Sequence, residues 1–222
     1  VQWSPIVDYF RNVFLPALSF FGGRAGLQLL RRGYYPRGQG EVLLEVEPSH
    51  LKSAHISYEP FNPAQNRIMG ISHCSNLPQH VAGRQAGSAI ERLQEAGYEA
   101  QIAQETSRLA STGSGISLWT AGKGASSLGE KGLPAEKVGR RAAEEIIREL
   151  ASLAAVDAHL ADQLIPYLAL AGGSFTVREI SLHTKTNIWT AGHFMDAKFE
   201  ITAKCGVFEI ESRWLSAKSP GQ

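Results

Sequence analysis

The sequence has few cysteines, little net charge and two methionines among its 222 residues. The two cysteines, Cys74 and Cys205, are far apart and lack the spacing of a disulfide framework or a zinc site, so a reducing cytoplasmic compartment is expected. The 22 Lys+Arg nearly balance the 21 Asp+Glu, giving a formal net charge of +1. This balance argues against a protein that binds long nucleic acid mainly through its overall positive charge. It does not argue against a protein that binds only the end of a nucleic acid strand.

Long apolar runs are also absent. None reaches the roughly 18 residues that a membrane span needs, and the stretch 13–21 is short and contains Pro16. We therefore expect no membrane association. The chain does have 43% hydrophobic residues and 22 glycines without a period, which excludes a disordered polyelectrolyte and collagen. It is long enough for one large or two small domains.

Helix and strand patterns predict a body interrupted by an insert. Residues 4–23 read as a helix, with Ser4 as N-cap, Pro5 at the first helical position and Gly22-Gly23 at the end. An insert of about residues 60–154 follows a Pro-rich linker and reads as β-α-β-β-α: strand 67–73, helix 78–96 ended by Gly97, strands 98–106 and 115–120, helix 134–153.

The flanking segments predict a second unit. Strands are expected at 27–31, 41–46 and 53–58, followed beyond the insert by helix 157–171, strand 175–182, helix 187–195 and a hairpin of 198–202 and 207–213 around Cys205-Gly206. Counted from strand 53–58, this order is β-α-β-α-β-β. We predict a mixed α/β fold in which residues 1–59 and 155–222 form a body and 60–154 an inserted domain.

His183 is the first candidate for chemistry. It is expected at the end of strand 175–182, before a polar turn, and the loops at strand ends often carry ligand-binding side chains. A neutral imidazole there can be a nucleophile, a base or a metal ligand. A hydrogen-bonded surface histidine is the simpler alternative. The sequence has no H-x-H or H-x-x-x-H pair typical of a metal site.

Two further segments are candidate ligand sites. In VDAHLADQL, Asp157 is expected to cap a helix, and the polar residues His159, Asp162 and Gln163 would lie near its positive end, where phosphate or ribose can bind. A solvated first turn is the alternative. In RRGYYPRGQG, the arginines could bind phosphate, although a tight hairpin with a basic rim is equally compatible; they are Arg31, Arg32 and Arg37.

Four blocks together resemble the RNA 3′-terminal phosphate cyclase family: RGYYPRGQGEV, LGEKGLPAEKVG, HLADQLIPYLALAGG and SFTVREISLHTKTNI, in that order. The resemblance implies βαβαββ repeats of the type shared with enolpyruvyl transferases, with a small α/β domain inserted in the last repeat. It also implies ATP-dependent conversion of an RNA 3′-phosphate into a 2′,3′-cyclic phosphodiester. The expected ligands are ATP, a divalent cation (Mg²⁺ or Mn²⁺) and an RNA 3′ end.

The resemblance also implies roles for particular residues. His183 would attack the ATP α-phosphorus and carry AMP, and the adenosine-binding segment would be His159, Leu160, Ala161, Asp162 and Gln163. The charge of Arg31, Arg32 and Arg37, and not the resemblance, keeps these three as candidate contacts for RNA phosphate. Two positions depart from the family pattern: His159 stands where relatives carry an aromatic residue, and Gln39 stands where the loop usually has a third consecutive glycine.

The family's members extend further before the position of Val1, with a metal-binding Glu and RNA-binding arginines there. We therefore expect this chain to be a part that is completed by an N-terminal segment, by another chain or by self-association. A non-catalytic cyclase-like scaffold in ribosomal RNA processing is the main alternative. Such proteins depart from the family at the nucleophilic histidine, so His183 favours the enzyme. The motifs do not resemble those of enolpyruvyl transferases.

Overall fold

A computed structural model of the chain describes residues 6–62 and 66–214, which form helices and mixed sheets, as the mixed α/β prediction requires. The helices are α1 (Val7–Tyr9), a π-helical turn (Phe10–Phe14), α2 (Leu15–Phe20), α3 (His80–Glu95), α4 (Ala135–Leu150), α5 (Ala158–Ala171) and α6 (Leu182–Phe194). The strands are β1 (Arg24–Arg31), β2 (Glu41–Glu47), β3 (Ala54–Ile56), β4 (Ile68–Ser75), β5 (Ala100–Ser107), β6 (Gly113–Thr120), β7 (Lys123–Leu128), β8 (Gly173–Val177), β9 (Ala197–Lys204) and β10 (Val207–Trp214).

The chain divides into two compact units. The first unit comprises the described residues of 1–13, 25–46 and 61–151, and the second those of 14–24, 47–60 and 152–214. The segments 6–13 and 25–46 therefore share a unit with most of the predicted insert. The predicted caps Ser4 and Pro5 lie outside the described residues. No helix formed by the described residues is long and apolar enough to cross a membrane.

The first unit contains a four-stranded sheet in the order β5-β4-β6-β7. Strand β4 pairs in parallel with β5 and antiparallel with β6, and β6 pairs antiparallel with β7. Helices α3 and α4 pack on each other and on this sheet. Their apolar side chains form the core: Ile68, Ala89, Leu93, Ile116, Leu118, Ala125, Val138, Ala142, Ala143 and Ile146.

Strand β7 corrects the predicted β-α-β-β-α order to β-α-β-β-β-α. Its sequence KGASSL has small and polar residues instead of an alternation of large apolar ones, so the pattern did not indicate a strand. Tertiary packing accounts for its burial: Ala125 belongs to the core that the sheet forms with α3 and α4, and a side chain at Gly124 would meet Val13 and Tyr9. Only glycine fits at position 124, because the N-terminal helical segment packs against the strand there.

The loop between β1 and β2 is held by close backbone contact. The two strands form a two-stranded sheet, as predicted, and Tyr34 and Gly38 form an isolated antiparallel bridge within the loop. A Cβ atom on Gly33 would lie 2.5 Å from the backbone nitrogen of Gly40, so a side chain at position 33 would force the two backbones apart.

The second unit has the predicted β-α-β-α-β-β order, formed by β3, α5, β8, α6, β9 and β10. Its sheet order is β3-β8-β10-β9, with β3 parallel to β8 and the other pairs antiparallel. Helix α5 supplies six residues with no exposed surface to the core: Leu160, Ala161, Leu164, Ile165, Leu168 and Ala169. Burial of this face anchors the start of α5, where the candidate ligand residues lie.

The predicted bounds of β8 and α6 were wrong. The strand expected at Phe175–Leu182 ends at Val177, and the helix expected at 187–195 begins at Leu182. The side-chain oxygen of Ser181 accepts a hydrogen bond from the backbone N–H of Thr184 at 3.0 Å, which starts the helix five residues early. His183 therefore lies in the first turn of a helix and not at the end of a strand.

Candidate functional site

His183 is exposed in the first turn of the 13-residue helix α6. Ser181 caps this helix, and no acidic residue occurs in its first turn. The unbonded backbone N–H groups at such a terminus carry partial positive charge and favour a nearby anion. The side chain thus projects where a phosphate group is electrostatically favoured.

The start of α5 presents the second group of predicted residues. Asp157 caps this helix as predicted, since its Oδ1 accepts hydrogen bonds from the backbone N–H groups of His159 and Leu160, both at 2.9 Å. The His159 side chain is exposed, whereas those of Leu160 and Ala161 have no exposed surface. Leu160 and Ala161 therefore anchor the segment in the core, and their side chains are not available to a ligand.

Asp162 lies on α5, three residues after His159, and its carboxyl is also near His183 of α6. Burial raises the pKa of the Asp162 carboxyl, and the positive charges of His159 and His183 lower it in part, which puts both histidines within electrostatic range of the carboxyl. Nδ2 of Asn187 donates to the backbone oxygen of Asp162 at 2.9 Å and joins α6 to α5. The second unit thus brings together His159, Asp162 and His183, with half-buried Gln163 next to them.

Sequence reasoning did not single out Asn187 as the residue that joins the two helices. A usable signal was present, because Asn187 follows His183 by four residues and shares its face once the segment is helical. The prediction of a strand up to Leu182 concealed this relationship.

The three predicted phosphate-binding arginines belong to the first unit and differ in their partners. Arg31 lies 3.1 Å from Glu41 and donates from Nε to the Gln39 backbone oxygen at 2.8 Å. Arg37 is exposed, and its guanidinium has no hydrogen-bond or ion-pair partner within the described part of the chain, although its backbone N–H donates to Oγ of Ser111 at 3.0 Å.

Arg32 is held in an ion-pair network in which the side chains of Arg32 and Asp8 are almost fully buried and that of Glu105 is half exposed. Its Nη1 and Nη2 atoms lie 2.5 and 3.0 Å from the two carboxylate oxygens of Asp8, and Nε lies 2.6 Å from Glu105. Burial opposes the charge of Arg32, but hydrogen bonds to Asp8 and Glu105 outweigh it and raise the guanidinium pKa. All three guanidinium nitrogens of Arg32 are therefore already used on these carboxylates, and Arg31 is exposed but paired with Glu41, which leaves Arg37 as the arginine of the three that has no side-chain partner among the described residues.

A second buried pair, also missed from the sequence, lies in the same unit. Tyr34 Oη is 2.7 Å from Nδ1 of His73, and both side chains are buried. Burial and, to a smaller extent, the charge of Arg32 lower the pKa of His73 to about 4, so the imidazole is neutral at pH 7. Its Nε2 has no hydrogen-bond partner among the described residues.

The expected divalent cation finds no set of protein ligands in the described ranges 6–62 and 66–214. No group of three or more His, Cys, Asp and Glu side chains in them could hold a metal ion. Asp162 is a single carboxylate beside His183, which is too few oxygen ligands for Mg²⁺ or Mn²⁺. These residues therefore do not by themselves form a cation site.

Comparison of the sequence with known proteins shows which family the chain resembles. A sequence profile described as RNA 3′-terminal phosphate cyclase matches residues 1–201. A protein of Methanosarcina mazei named RNA 3′-terminal phosphate cyclase is 52% identical over 95% of this chain and 64% of its own length. Proteins of the same name from Archaeoglobus fulgidus and Pyrococcus furiosus are 48% and 42% identical, over 90% and 93% of this chain.

The match covers only part of the length of each relative. This chain spans 64% of the Methanosarcina mazei protein and 61% of the other two, which is less than two thirds of each. The match nevertheless covers most of this chain and includes the segments that carry His159, Asp162 and His183. The chain belongs to the RNA 3′-terminal phosphate cyclase family.

Proposed function

We propose that this chain takes part in the ATP-dependent conversion of an RNA 3′-terminal phosphate into a 2′,3′-cyclic phosphodiester, with His183 as the nucleophile that carries AMP. One observation carries the proposal: in a member of the cyclase family, an exposed histidine lies at a helix N-terminus within electrostatic range of the Asp162 carboxyl, which a second histidine, His159, also influences. We expect it to act in the cytoplasm, together with the remaining part of the cyclase fold that its relatives possess.

In the first step, a lone pair on the His183 imidazole attacks the α-phosphorus of ATP. A P–N bond forms, the P–O bond to the β-phosphate breaks, and pyrophosphate leaves with the electron pair. The ring keeps its other proton and becomes cationic. The nearby carboxylate of Asp162 offsets this charge, and the N-terminus of α6 favours the phosphate oxygens.

Adenosine recognition is assigned to exposed and half-buried side chains at the start of α5. The His159 ring can stack on adenine, although less extensively than a larger aromatic ring would. Gln163 can hydrogen-bond the nucleotide through its amide. Leu160 and Ala161 support these contacts from the core, because their side chains have no exposed surface.

In the later steps, AMP passes to the RNA end. An oxygen of the RNA 3′-phosphate attacks the adenylate phosphorus, the P–N bond breaks, and its electron pair returns to His183. The adjacent 2′-OH then attacks the RNA phosphorus, AMP leaves, and the hydroxyl proton passes to solvent. We assign the phosphate contact in the first unit to Arg37, whose guanidinium has no partner among the described residues, while Arg31 and Arg32 hold the loop that carries it.

Incubation with α-labelled ATP and Mg²⁺ or Mn²⁺ tests the nucleophile in the chain together with the part expected to complete it, because we expect the chain alone to give weak or no cyclisation of an RNA 3′-phosphate. We expect covalent label that is acid-labile and alkali-stable, as a phosphoramidate requires, and its loss in His183→Ala. The matched control is His50→Ala, another exposed histidine of the second unit, which should label normally. Normal labelling of His183→Ala would refute the assignment. A wild-type chain that binds RNA but takes no label would favour a scaffold.

A further inference from the structure

Helix α6 carries an exposed aromatic surface beyond His183. Trp189 is 65% exposed and Leu182 is 78% exposed. Leu182, Trp189 and His193 share one side of the helix because they are seven and eleven residues apart, close to two and three full turns. In a polar environment such exposure of a large indole is costly unless a partner covers it.

The two rings of this surface are fixed in orientation. The ring centroids of Trp189 and His193 are 4.1 Å apart with an interplanar angle of 37°. Nδ1 of His193 lies 2.7 Å from the backbone oxygen of Trp189, so this ring nitrogen carries the proton and donates it. The hydrogen bond holds the imidazole against one face of the indole and leaves the pair exposed to solvent.

The charge on this helix has one sign. Lys185 precedes Trp189 by four residues and so neighbours it on the helix surface. Its ammonium has no ion-pair partner among the described residues, and α6 contains no acidic residue. A fixed aromatic surface beside a free cation is complementary to a single-stranded nucleic acid, in which bases stack and phosphates carry negative charge.

The position of this surface relates it to the proposed site of reaction. Trp189 follows His183 by six residues, which is about 9 Å along the helix axis. Leu182, at the other end of the same face, directly precedes His183. A strand whose terminal phosphate reacts near His183 therefore has a stacking surface for one of its last bases within a short distance along α6.

We propose that Lys185, Trp189 and His193 form a binding surface for single-stranded RNA, on which a base near the 3′ end stacks on Trp189 while Lys185 contacts a backbone phosphate. The inference rests on the proposed function, since it takes His183 as the place where the RNA end reacts. The surface lies wholly within the second unit.

Binding of a short single-stranded RNA with a 3′-phosphate and a 5′ fluorophore, followed by anisotropy, tests the surface. We expect Trp189→Ala to weaken binding by about tenfold, as loss of one stacked base does, and Trp189→Phe to retain most of the affinity. Lys185→Gln should weaken binding and reduce its dependence on salt concentration. An RNA with 5-iodouridine close to its 3′ end should photo-crosslink to the peptide that contains Trp189.

Matched controls separate a specific surface from a general effect. Phe20, at 57% exposed, is a comparable apolar side chain of the same unit, and Lys52 is an exposed cation there. Phe20→Ala and Lys52→Gln should bind RNA as the wild-type chain does. Thermal unfolding should show that Trp189→Ala is folded, which its exposure leads us to expect.

Three outcomes would overturn the proposal: unchanged RNA affinity in Trp189→Ala, no RNA binding by the wild-type chain, or a change of oligomeric state in Trp189→Ala without loss of RNA affinity. The last would identify the face as a contact between copies of the chain. Labelling by ATP needs no RNA, so a failure of the proposed function appears separately, as a missing AMP label in the wild-type chain.

Discussion

Tyr34 Oη lies 2.7 Å from Nδ1 of His73 and thereby joins the loop between β1 and β2 to the central strand β4. Burial raises the pKa of Tyr34 and lowers that of His73, so both side chains are neutral at pH 7 and one hydrogen bond joins them. The same loop carries Arg37, the exposed arginine whose guanidinium has no partner among the described residues. The buried pair is thus the support of a candidate phosphate contact.

The pH dependence of stability should report the burial of His73. An unfolded chain protonates His73 below pH 6.5, whereas the folded chain does so only below about 4. Folding stability is therefore fully present above pH 6.5 and is lost as pH falls toward 4, by about 3 kcal/mol in total. His73→Gln should flatten urea-unfolding stability across this window, while exposed His80→Gln should not. Parallel curves for wild type and His73→Gln would contradict this.

The ion pair between Asp8 and Arg32 should contribute far more than the pair between Arg31 and Glu41. The Asp8 and Arg32 side chains are 0% and 8% exposed. Asp8→Ala leaves the buried Arg32 guanidinium without the Asp8 carboxylate and should lower the free energy of unfolding by about 3 kcal/mol. Glu41 and Arg31 are 53% and 50% exposed, and Glu41→Ala should cost less than about 1 kcal/mol. Chemical denaturation measures both; equal losses would refute the difference.

Signals confined to a few neighbouring residues were predicted correctly. Asp157 was expected as a cap, and it accepts two backbone hydrogen bonds. Gly22 and Gly97 were expected to end helices, and both have the positive φ that such ends favour, at 84° and 83°. Cys205 and Gly206 form the expected turn between β9 and β10. Each feature depends on local backbone conformation, which adjacent residues determine.

Features that depend on distant residues were missed. Strand β7 is built of small residues: Ala125 is buried in the core that the sheet forms with α3 and α4, and Gly124 lies against Val13 and Tyr9, more than a hundred positions earlier. The partners of Arg32 and Tyr34 are likewise far away in sequence, with Glu105 73 positions from Arg32. Spacing alone identified the arginine-rich loop, but it could not show which arginines are already paired.

The departure from the family pattern at Gln39 has a measurable consequence. Gln39 has φ of 60°, a left-handed conformation that a side chain disfavours, at the position where the family resemblance led us to expect a glycine. Gln39→Gly should therefore raise the free energy of unfolding by about 1 kcal/mol, and the bond from Arg31 is retained because it goes to the backbone oxygen. Gln28→Gly, within strand β1, should lower it. Destabilisation by Gln39→Gly would show that the side chain has a compensating role.

Asp162 should stabilise the chain less when ionised, because burial raises its folded pKa above the ordinary value of 3.8. The folded state then holds a proton that the unfolded state has lost, so stability falls as pH rises from 3.8 through the folded pKa. Asp162→Asn removes this ionisation penalty while the bond from Asn187 persists, since it goes to the backbone oxygen. Urea unfolding should find the variant more stable than wild type at pH 7, with the difference shrinking toward pH 4. The variant should also take less AMP label, because the charge that offsets the His183 adduct is gone. A variant less stable than wild type at pH 7 would show that the carboxylate has stabilising partners that outweigh its burial.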